Sequence, residues 1–294
     1  MNVKAANNHK PQTCTQSIGD AELPYLFYAG DGPPLIFLHA TGFIPWLWHP
    51  LARELAGSYR IFAPGFCDHR QSDPEKGGVS WISLAEDLAL FCRSLHLENP
   101  FLVGHSMGAT ISLMANTLDD LSAAGMVLIE PIILPQEFYR QRLGLEQHPF
   151  ASKAIRRTNF WRNRDEAATY LHSRSLFQGW DEEMLALYLD HGMSADGAGL
   201  RLTCSPRNEA ALFMGAMGYD PWPLLPRVSC PVLILEGEKS DQREFIDLDR
   251  VRSLIPDCIQ DRVGGAGHLI PMEKPREVTG LIRKFFHSLP SGVK

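Results

Sequence analysis

The sequence has no excess of positive charge, and this shortage excludes several classes of protein. Lys and Arg number 28 against 34 Asp and Glu, which gives a formal net charge of −6. We therefore expect no binding to nucleic acid and none to an anionic membrane. Residues 1–20 are polar, so that stretch favours neither a secretion signal nor a transmembrane anchor.

Closely spaced cysteines are also missing. The six cysteines are scattered, and no two of them form a C-x-x-C pair, which predicts reduced thiols and no zinc site. The nucleotide motifs G-x-x-x-x-G-K-[ST] and G-x-G-x-x-G are absent as well, so we expect neither a metal nor another cofactor. Together these absences predict a cytoplasmic enzyme with a small-molecule substrate. They leave open whether it is a monomer or a homo-oligomer.

What the chain does have is a regular alternation of apolar strands and helices. Its 294 residues, of which 45% are hydrophobic, easily support a large core. Segments rich in apolar residues predict strands at residues 35–38, 59–64, 101–103, 124–131 and 231–235, and a last, more polar strand is predicted at 258–263. Strands of this kind, separated by helices, predict an α/β fold with a mostly parallel sheet covered on both faces.

The alternation stops in the middle of the chain. Residues 134–226 are helical in pattern and rich in aromatic side chains, with one possible short hairpin at 196–202. We therefore predict that residues 1–133 and 227–294 form the α/β core and that 134–226 form a helical insertion. Residues 1–20 are expected to be a loose tail.

The strongest local motif is the pentapeptide G-H-S-M-G at residues 104–108. It stands between an apolar strand and a helix, the context that makes G-x-S-x-G a nucleophile elbow. In such a turn the serine has a strained backbone, and the two glycines leave room for neighbouring elements. Ser106 is the predicted nucleophile.

A serine nucleophile needs a general base that is itself oriented by a carboxylate. His268 is the predicted base, because it lies in a glycine-rich loop between the last strand and the closing helix. For the acid we choose Asp241, which follows a strand and the tight turn at Gly237. Glu130, at the end of the strand after the elbow, is the competitor.

A tetrahedral intermediate also needs two backbone N–H donors for its oxyanion. Met107, directly after the nucleophile, is predicted to supply one of them. Thr41, in the loop after the strand at 35–38, is predicted to supply the other.

These motifs resemble those of the capped serine hydrolases of the α/β-hydrolase fold, over nearly the whole chain. Ser106, Asp241 and His268 stand in segments similar to the family's triad segments, G-H-S-M-G, G-E-K-S-D and G-A-G-H-L-I-P-M-E-K-P. Residues 39–42 match the family's oxyanion loop, usually His-Gly-x-x-Gly, with Ala40 in place of a glycine. Residues 64–72 depart from the family pattern, with Gly65 for an aspartate and Arg70 for a glycine.

The resemblance implies an α/β-hydrolase fold with a mostly parallel sheet of about eight strands and helices on both faces. It also implies that 134–226 is a cap, inserted after the strand that ends near Glu130, which roofs the substrate pocket. The abundance of aromatic residues favours an apolar or aromatic substrate. The candidate substrate-contacting residues are Phe43, His105, Trp161, Tyr188 and Met214. His105 is equally a candidate for packing behind the nucleophile.

Several functions remain open at this point. The leading one is hydrolysis of a carboxylic ester, lactone or thioester through an acyl-enzyme, and the runner-up is cleavage of a carbon–carbon bond in a diketone by the same triad. A non-catalytic receptor for small molecules is a third possibility. Dehalogenases and epoxide hydrolases resemble this fold but use an aspartate nucleophile, so Ser106 argues against them.

Overall fold

The computed structural model describes residues 10–119 and 121–290, and its strands form one large sheet and one hairpin. Within those residues the strands are β1 (Gln12–Ser17), β2 (Glu22–Tyr28), β3 (Pro34–Leu38), β4 (Arg60–Pro64), β5 (Phe101–His105), β6 (Gly125–Ile129), β7 (Met193–Asp196), β8 (Gly199–Leu202), β9 (Val232–Gly237) and β10 (Cys258–Val263). The large sheet has eight strands in the order β1-β2-β4-β3-β5-β6-β9-β10, while β7 and β8 pair with each other.

In the large sheet, as far as the structure describes it, the six strands from β4 across to β10 run parallel, and only the pairs β1–β2 and β2–β4 are antiparallel. Every residue of β3, β5 and β6 is buried, as expected of central parallel strands covered on both faces. Successive side chains point to opposite faces. Leu35 and Phe37 accordingly join one apolar cluster, and Ile36 and Leu38 join the other. The predicted fold class is confirmed.

Helices cover both faces of the sheet and fill the segment between β6 and β9. They are α1 (His49–Leu55), α2 (Trp81–Ser94), α3 (Met107–Leu118), α4 (Ala151–Ala154), α5 (Arg164–His172), α6 (Glu182–His191), α7 (Pro206–Gly215), α8 (Leu248–Leu254), α9 (Ile270–Glu273) and α10 (Pro275–Ser288). The closing helix α10 is amphipathic and buries Val278, Ile282 and Phe286. No helix in the described residues is long and apolar enough to cross a membrane.

The expectation of a loose tail at residues 1–20 is wrong for part of that range. Residues 12–17 form β1, which pairs along its whole length with β2 at the edge of the sheet. Its side chains are mostly polar and exposed, so no apolar run marks it in the sequence. Residues 1–9 lie outside the described residues.

The segment between β6 and β9 contains α4 to α7 and the hairpin β7–β8, which confirms the hairpin suggested at 196–202. In the described part of this segment, no strand joins the large sheet. Its aromatic side chains pack onto the core, since the rings of Trp180 and Tyr188 lie 5.6 and 6.0 Å from the ring of Phe43. The role of residues 134–226 as a cap stays a prediction.

A disulfide joins this segment to the core, which corrects the expectation that all cysteines are reduced. Cys67, in the loop after β4, is bonded to Cys204, which lies just before α7, and their Cα atoms are 5.5 Å apart. Cys14, Cys92, Cys230 and Cys258 are free thiols. The bonded pair is separated by 137 positions in sequence, and only the folded chain brings such distant residues together.

Removing this disulfide should destabilise the protein, because the bond closes a long loop and thereby lowers the conformational entropy of the unfolded chain. We expect Cys204→Ser to lower the free energy of unfolding by about 2–5 kcal/mol. Urea denaturation under non-reducing conditions measures the change. Cys14→Ser, which removes a free thiol, is the matched control and should change little. A finding that Cys67 and Cys204 are both alkylated in the native, unreduced protein would contradict the prediction.

Candidate active site

The pentapeptide forms a sharp turn between β5 and α3, with Ser106 at its apex. Ser106 has φ 55° and ψ −115°, a backbone conformation that costs energy for any residue with a side chain. Its N–H donates to the carbonyl of Ile129 at 2.8 Å, which ties the turn to the end of β6. The strained turn lifts the hydroxyl out of the strand, at the carboxyl edge of the parallel sheet.

The two glycines of the motif are required because there is no space for side chains. A Cβ on Gly104 would lie 2.4 Å from the carbonyl group of Gly108. A Cβ on Gly108 would lie 2.3 Å from the carbonyl oxygen of Leu38, at the end of β3. The elbow therefore depends on glycine at both positions, as its sequence context predicts.

His268 lies in the loop between β10 and α9, and its Nε2 is 3.2 Å from Ser106 Oγ. This loop is held on both sides. The N–H of Gly267 donates to Glu273 Oε2 at 2.7 Å, and the carbonyl of Ala266 accepts from the N–H of Lys239 at 2.8 Å. The structure thus brings together the predicted nucleophile and base at hydrogen-bonding distance.

The carboxylate that faces the other nitrogen of His268 belongs to Glu130. Glu130 Oε2 is 3.0 Å from His268 Nδ1, and the Glu130 side chain is 1% exposed. Its oxygens also accept from the N–H of Gly237 and from the hydroxyl of Ser240, each at 2.6 Å. Because a carboxylate only accepts, Nδ1 carries the proton and Nε2 presents its lone pair to Ser106.

Our choice of Asp241 as the partner of His268 is therefore corrected by the structure. Asp241 begins an exposed 3₁₀ turn, Asp241–Glu244, after β9, and it lies at the rim of the cavity described below. Glu130 follows directly on β6, which lies between the elbow strand and β9; it has a positive φ of 49°, and its side chain contacts His268. Gly237 and Ser240, the residues just before Asp241, serve to hold Glu130.

His105 lies behind the nucleophile and does not line the large cavity, which corrects its choice as a substrate contact. Its Nε2–H donates to the backbone carbonyl of His268 at 2.9 Å, so it supports the loop that carries the base. Burial lowers the pKa of His105 to about 3. Burial likewise lowers the pKa of His39 to about 4, and His39 Nε2 accepts from the N–H of Phe66 at 2.9 Å.

These two buried histidines should make the fold sensitive to acid. Unfolded histidines, with pKa near 6.5, take up protons below that pH, whereas folded His39 and His105 do so only near pH 4 and 3. Stability is therefore full above pH 6.5 and is lost as the pH falls, by about 1.4 kcal/mol per pH unit for each histidine. Urea denaturation between pH 7.5 and 5 measures this slope. His105→Gln should lower it by the contribution of one histidine, about 1.4 kcal/mol per pH unit, and an unchanged slope in that variant would contradict the assignment.

The predicted oxyanion residues lie at the same edge of the sheet as Ser106. Leu38 at the end of β3 pairs with Gly104 of β5, so the loop with Thr41 starts beside the elbow. Thr41 lines the cavity together with Ser106, and Met107 is the first residue of α3. The N-terminus of a helix presents free N–H groups and a partial positive charge, as stabilisation of an oxyanion requires.

A cavity of about 510 Å³ opens at Ser106 and His268, a size typical of sites for small molecules. Its wall is mainly apolar, and the segment between β6 and β9 contributes much of it, including Phe138, Leu143, Phe150, Leu176, Phe213 and Met217. The arrangement gives an activated hydroxyl access to an apolar, partly enclosed space.

Of the five residues chosen as substrate contacts, Phe43 lies on the cavity wall and the other four do not. Trp161 is buried in the insertion, where its ring packs 5.3 Å from Tyr170. Tyr188 is buried against Phe43 and neighbouring rings, and Met214 packs beside Gly78. Aromatic composition alone does not show which side of a helix faces the cavity, and the wall residues Phe138 and Phe213 carry no motif.

No group of three or more His, Cys, Asp or Glu in the described residues is arranged to hold a metal ion. Residues 35–281 match the model of the Alpha/beta hydrolase family. The chain belongs to this family. It is accordingly an α/β-fold hydrolase.

Named relatives of the chain are esterases and hydrolases. It is 25% identical to an uncharacterized carboxylesterase, nap, of Bacillus subtilis, over 88% of this chain and 80% of that protein. It is 26% identical to the N-formylmaleamate deformylase of Pseudomonas putida, over 85% of this chain and 87% of that one. The crystal structure of E-2-(acetamidomethylene)succinate hydrolase has a similar fold, with a TM-score of 0.79 at 23% identity, covering 95% of this chain and 100% of the other.

Proposed function

We propose that this hydrolase cleaves a small, apolar or aromatic carboxylic ester, lactone or thioester through a Ser106–His268–Glu130 triad. The observation that carries the proposal is the line of hydrogen bonds from Glu130 through His268 to Ser106, ending in an apolar cavity. The likeness to a protein named as a carboxylesterase supports the same class of bond.

The chemistry follows the order of the groups. Ser106 Oγ attacks the substrate carbonyl carbon while His268 Nε2 takes its proton, and buried Glu130 stabilises the imidazolium that forms. The N–H groups of Thr41 and Met107 are the proposed donors to the oxyanion. His268 then gives its proton to the leaving oxygen or sulfur, which releases the first product. Water, deprotonated by His268, hydrolyses the acyl-enzyme and regenerates Ser106.

We further propose that residues 134–226 act as a cap over this site. The supporting observations are that the segment supplies much of the cavity wall and that aromatic packing and the Cys67–Cys204 bond attach it to the core. A cap of this kind excludes water around the reacting carbonyl, which strengthens the electrostatic interactions there. The expected cytoplasmic location is based partly on reduced thiols, and the Cys67–Cys204 disulfide takes away that support.

A panel of p-nitrophenyl esters with acyl chains of increasing length tests the proposal. We expect turnover of short and medium apolar acyl esters, with saturation kinetics and loss of activity after treatment with a serine-directed phosphonate. A vinylogous diketone in the same panel tests carbon–carbon cleavage. Turnover of the diketone alone would make the protein a carbon–carbon hydrolase, and binding without turnover of any substrate would make it a receptor.

A further inference from the structure

The cavity wall carries a partly buried carboxylate beside the proposed oxyanion loop. Glu209, on α7, lines the cavity, and its side chain is 12% exposed. It lies against Gly42, since a Cβ built on that glycine would be 2.6 Å from Glu209 Oε1. Gly42 follows Thr41 in the proposed oxyanion loop. The Glu209 carboxylate therefore lies near the place where the acyl group of a substrate must sit.

The positive partner of this carboxylate stands behind the wall. Arg157 Nη1 donates to Glu209 Oε2 at 2.5 Å, and its Nη2 lies 3.4 Å from the hydroxyl of Tyr188. Burial disfavours the charged form of Arg157, but Tyr188 and Glu209 more than offset this and raise its pKa above the usual range. Arg157 itself does not line the cavity. Of the two charged groups in the ion pair, the carboxylate therefore lies on the cavity wall and the guanidinium lies behind it.

The base His268 also lines the wall, but its charge when protonated is paired with Glu130, and no further described group there supplies a positive charge to balance Glu209. Among the described residues the wall contains no Lys or Arg, and the Nδ1 atom of its His148 accepts from the N–H groups of Phe150 and Ala151. Burial lowers the pKa of His148, so that ring is neutral at pH 7. Asp241 adds a second carboxylate at the rim.

Arginines close in sequence to wall residues also lie outside the wall. Arg243, two residues after Asp241, pairs with Glu236, their Nε and Oε1 atoms being 3.0 Å apart. Arg140 and Arg142 are exposed to solvent.

We propose that the cavity selects acyl groups that carry no negative charge, and that Glu209 is the specificity-determining residue. This inference rests on the proposed function. A carboxylate on the substrate would lose its hydration and stand beside Glu209 with no cation to pair with, an arrangement that low-dielectric surroundings make strongly unfavourable. An ester of the same size without the charge is not repelled by Glu209 and can make the same contacts with the apolar part of the wall.

Two esters that differ in one charge test the inference on the wild-type protein. Mono-p-nitrophenyl adipate carries a carboxylate at its far end, and methyl p-nitrophenyl adipate is its neutral counterpart. After subtraction of the rate without enzyme, we expect kcat/KM to be on the order of 100-fold higher for the neutral ester. A ratio below about 10-fold overturns the inference while leaving the proposed function intact. Failure to cleave either ester counts against the proposed function instead.

Variants of Glu209 and Arg157 test whether Glu209 determines the preference for the neutral ester. Glu209→Gln leaves the Arg157 charge uncompensated behind the wall, so the preference for the neutral ester should fall by about 10-fold or more, mainly through faster cleavage of the charged ester. Glu209→Asp keeps the charge and should keep most of the preference. If Glu209→Gln does not fold, the double variant Arg157→Met, Glu209→Gln removes both charges, and the preference should again fall.

A matched control separates the local charge from the overall charge of the protein. Asp190→Asn changes the net charge by the same amount as Glu209→Gln, but Asp190 pairs with Arg164 on an exposed surface, where both side chains are about half exposed. In Asp190→Asn, the ratio of kcat/KM for the neutral ester to kcat/KM for the charged ester should equal that of the wild type. The role of Glu209 is overturned if the preference for the neutral ester falls equally in Asp190→Asn and Glu209→Gln. It is also overturned if this preference does not fall in Glu209→Gln or in the double variant.

Discussion

Glu130→Gln should lower kcat for a p-nitrophenyl ester by about 10⁴-fold, the usual effect of removing a triad carboxylate. Glutamine has nearly the same shape, its oxygen can still accept from the Gly237 N–H, and its amide NH2 can donate to the Ser240 hydroxyl oxygen, so the fold should survive. It cannot stabilise the imidazolium of His268 as a buried carboxylate does, and it no longer selects the tautomer with the proton on Nδ1. Steady-state kinetics measures the loss, and thermal melts monitored by circular dichroism verify the fold.

Asp241→Asn is the comparison that decides between the two carboxylates. Asp241 lies on an exposed turn at the rim of the cavity, whereas Glu130 contacts His268 directly. We therefore expect Asp241→Asn to cost less than about 10-fold in kcat, the range of residues that do not contact the reacting atoms. If Asp241→Asn proves the far more damaging of the two, Asp241 is the acid in solution, and Glu130 only holds the loop after β9.

The second large effect concerns Ser106. Ser106→Ala removes the only atom proposed to form a covalent bond with the substrate, and kcat should fall by about 10⁴-fold to 10⁶-fold. The wild-type protein should gain a single adduct on treatment with a fluorophosphonate, as measured by intact-protein mass spectrometry, and Ser106→Ala should gain none. Alanine adds no atoms to the strained turn, so the fold should be retained.

Ser194→Ala is the control for this labelling. Ser194 is exposed on the hairpin β7–β8, and its loss should leave both the adduct and the activity as in the wild type. Labelling that persists in Ser106→Ala would show that another serine is the nucleophile.

Local signals in the sequence are sufficient to predict the α/β architecture and two residues of the site, the elbow serine and His268. Residues of β3 and β6 and the first three residues of β5 are apolar without interruption because central parallel strands are buried on both faces. The glycines at 104 and 108 predict the elbow because no other residue fits where Leu38 and the turn itself approach. His268 follows from its place in a glycine-rich loop after the last strand. Each of these inferences depends on neighbours in the chain.

The choice of acid depended on the tertiary structure. Glu130 and Asp241 both follow strands that end at the same edge of the sheet, and their surroundings in sequence do not separate them. The order of the strands puts β6 between the elbow and β9, and Glu130, with its positive φ, contacts His268 from the end of β6. Neither the strand order nor this backbone conformation can be inferred from composition or spacing.

The sequence by itself determined the α/β fold, the elbow with Ser106 and the loop with His268, since periodicity and glycine spacing are local properties of a chain. The tertiary structure alone decided three further features. They are the Cys67–Cys204 bond across 137 positions, the aromatic side chains that face the cavity, and the pairing of Arg157 with Glu209 on its wall. The reason is the same for all three, because contacts between distant segments depend on how helices of the insertion are oriented on the core.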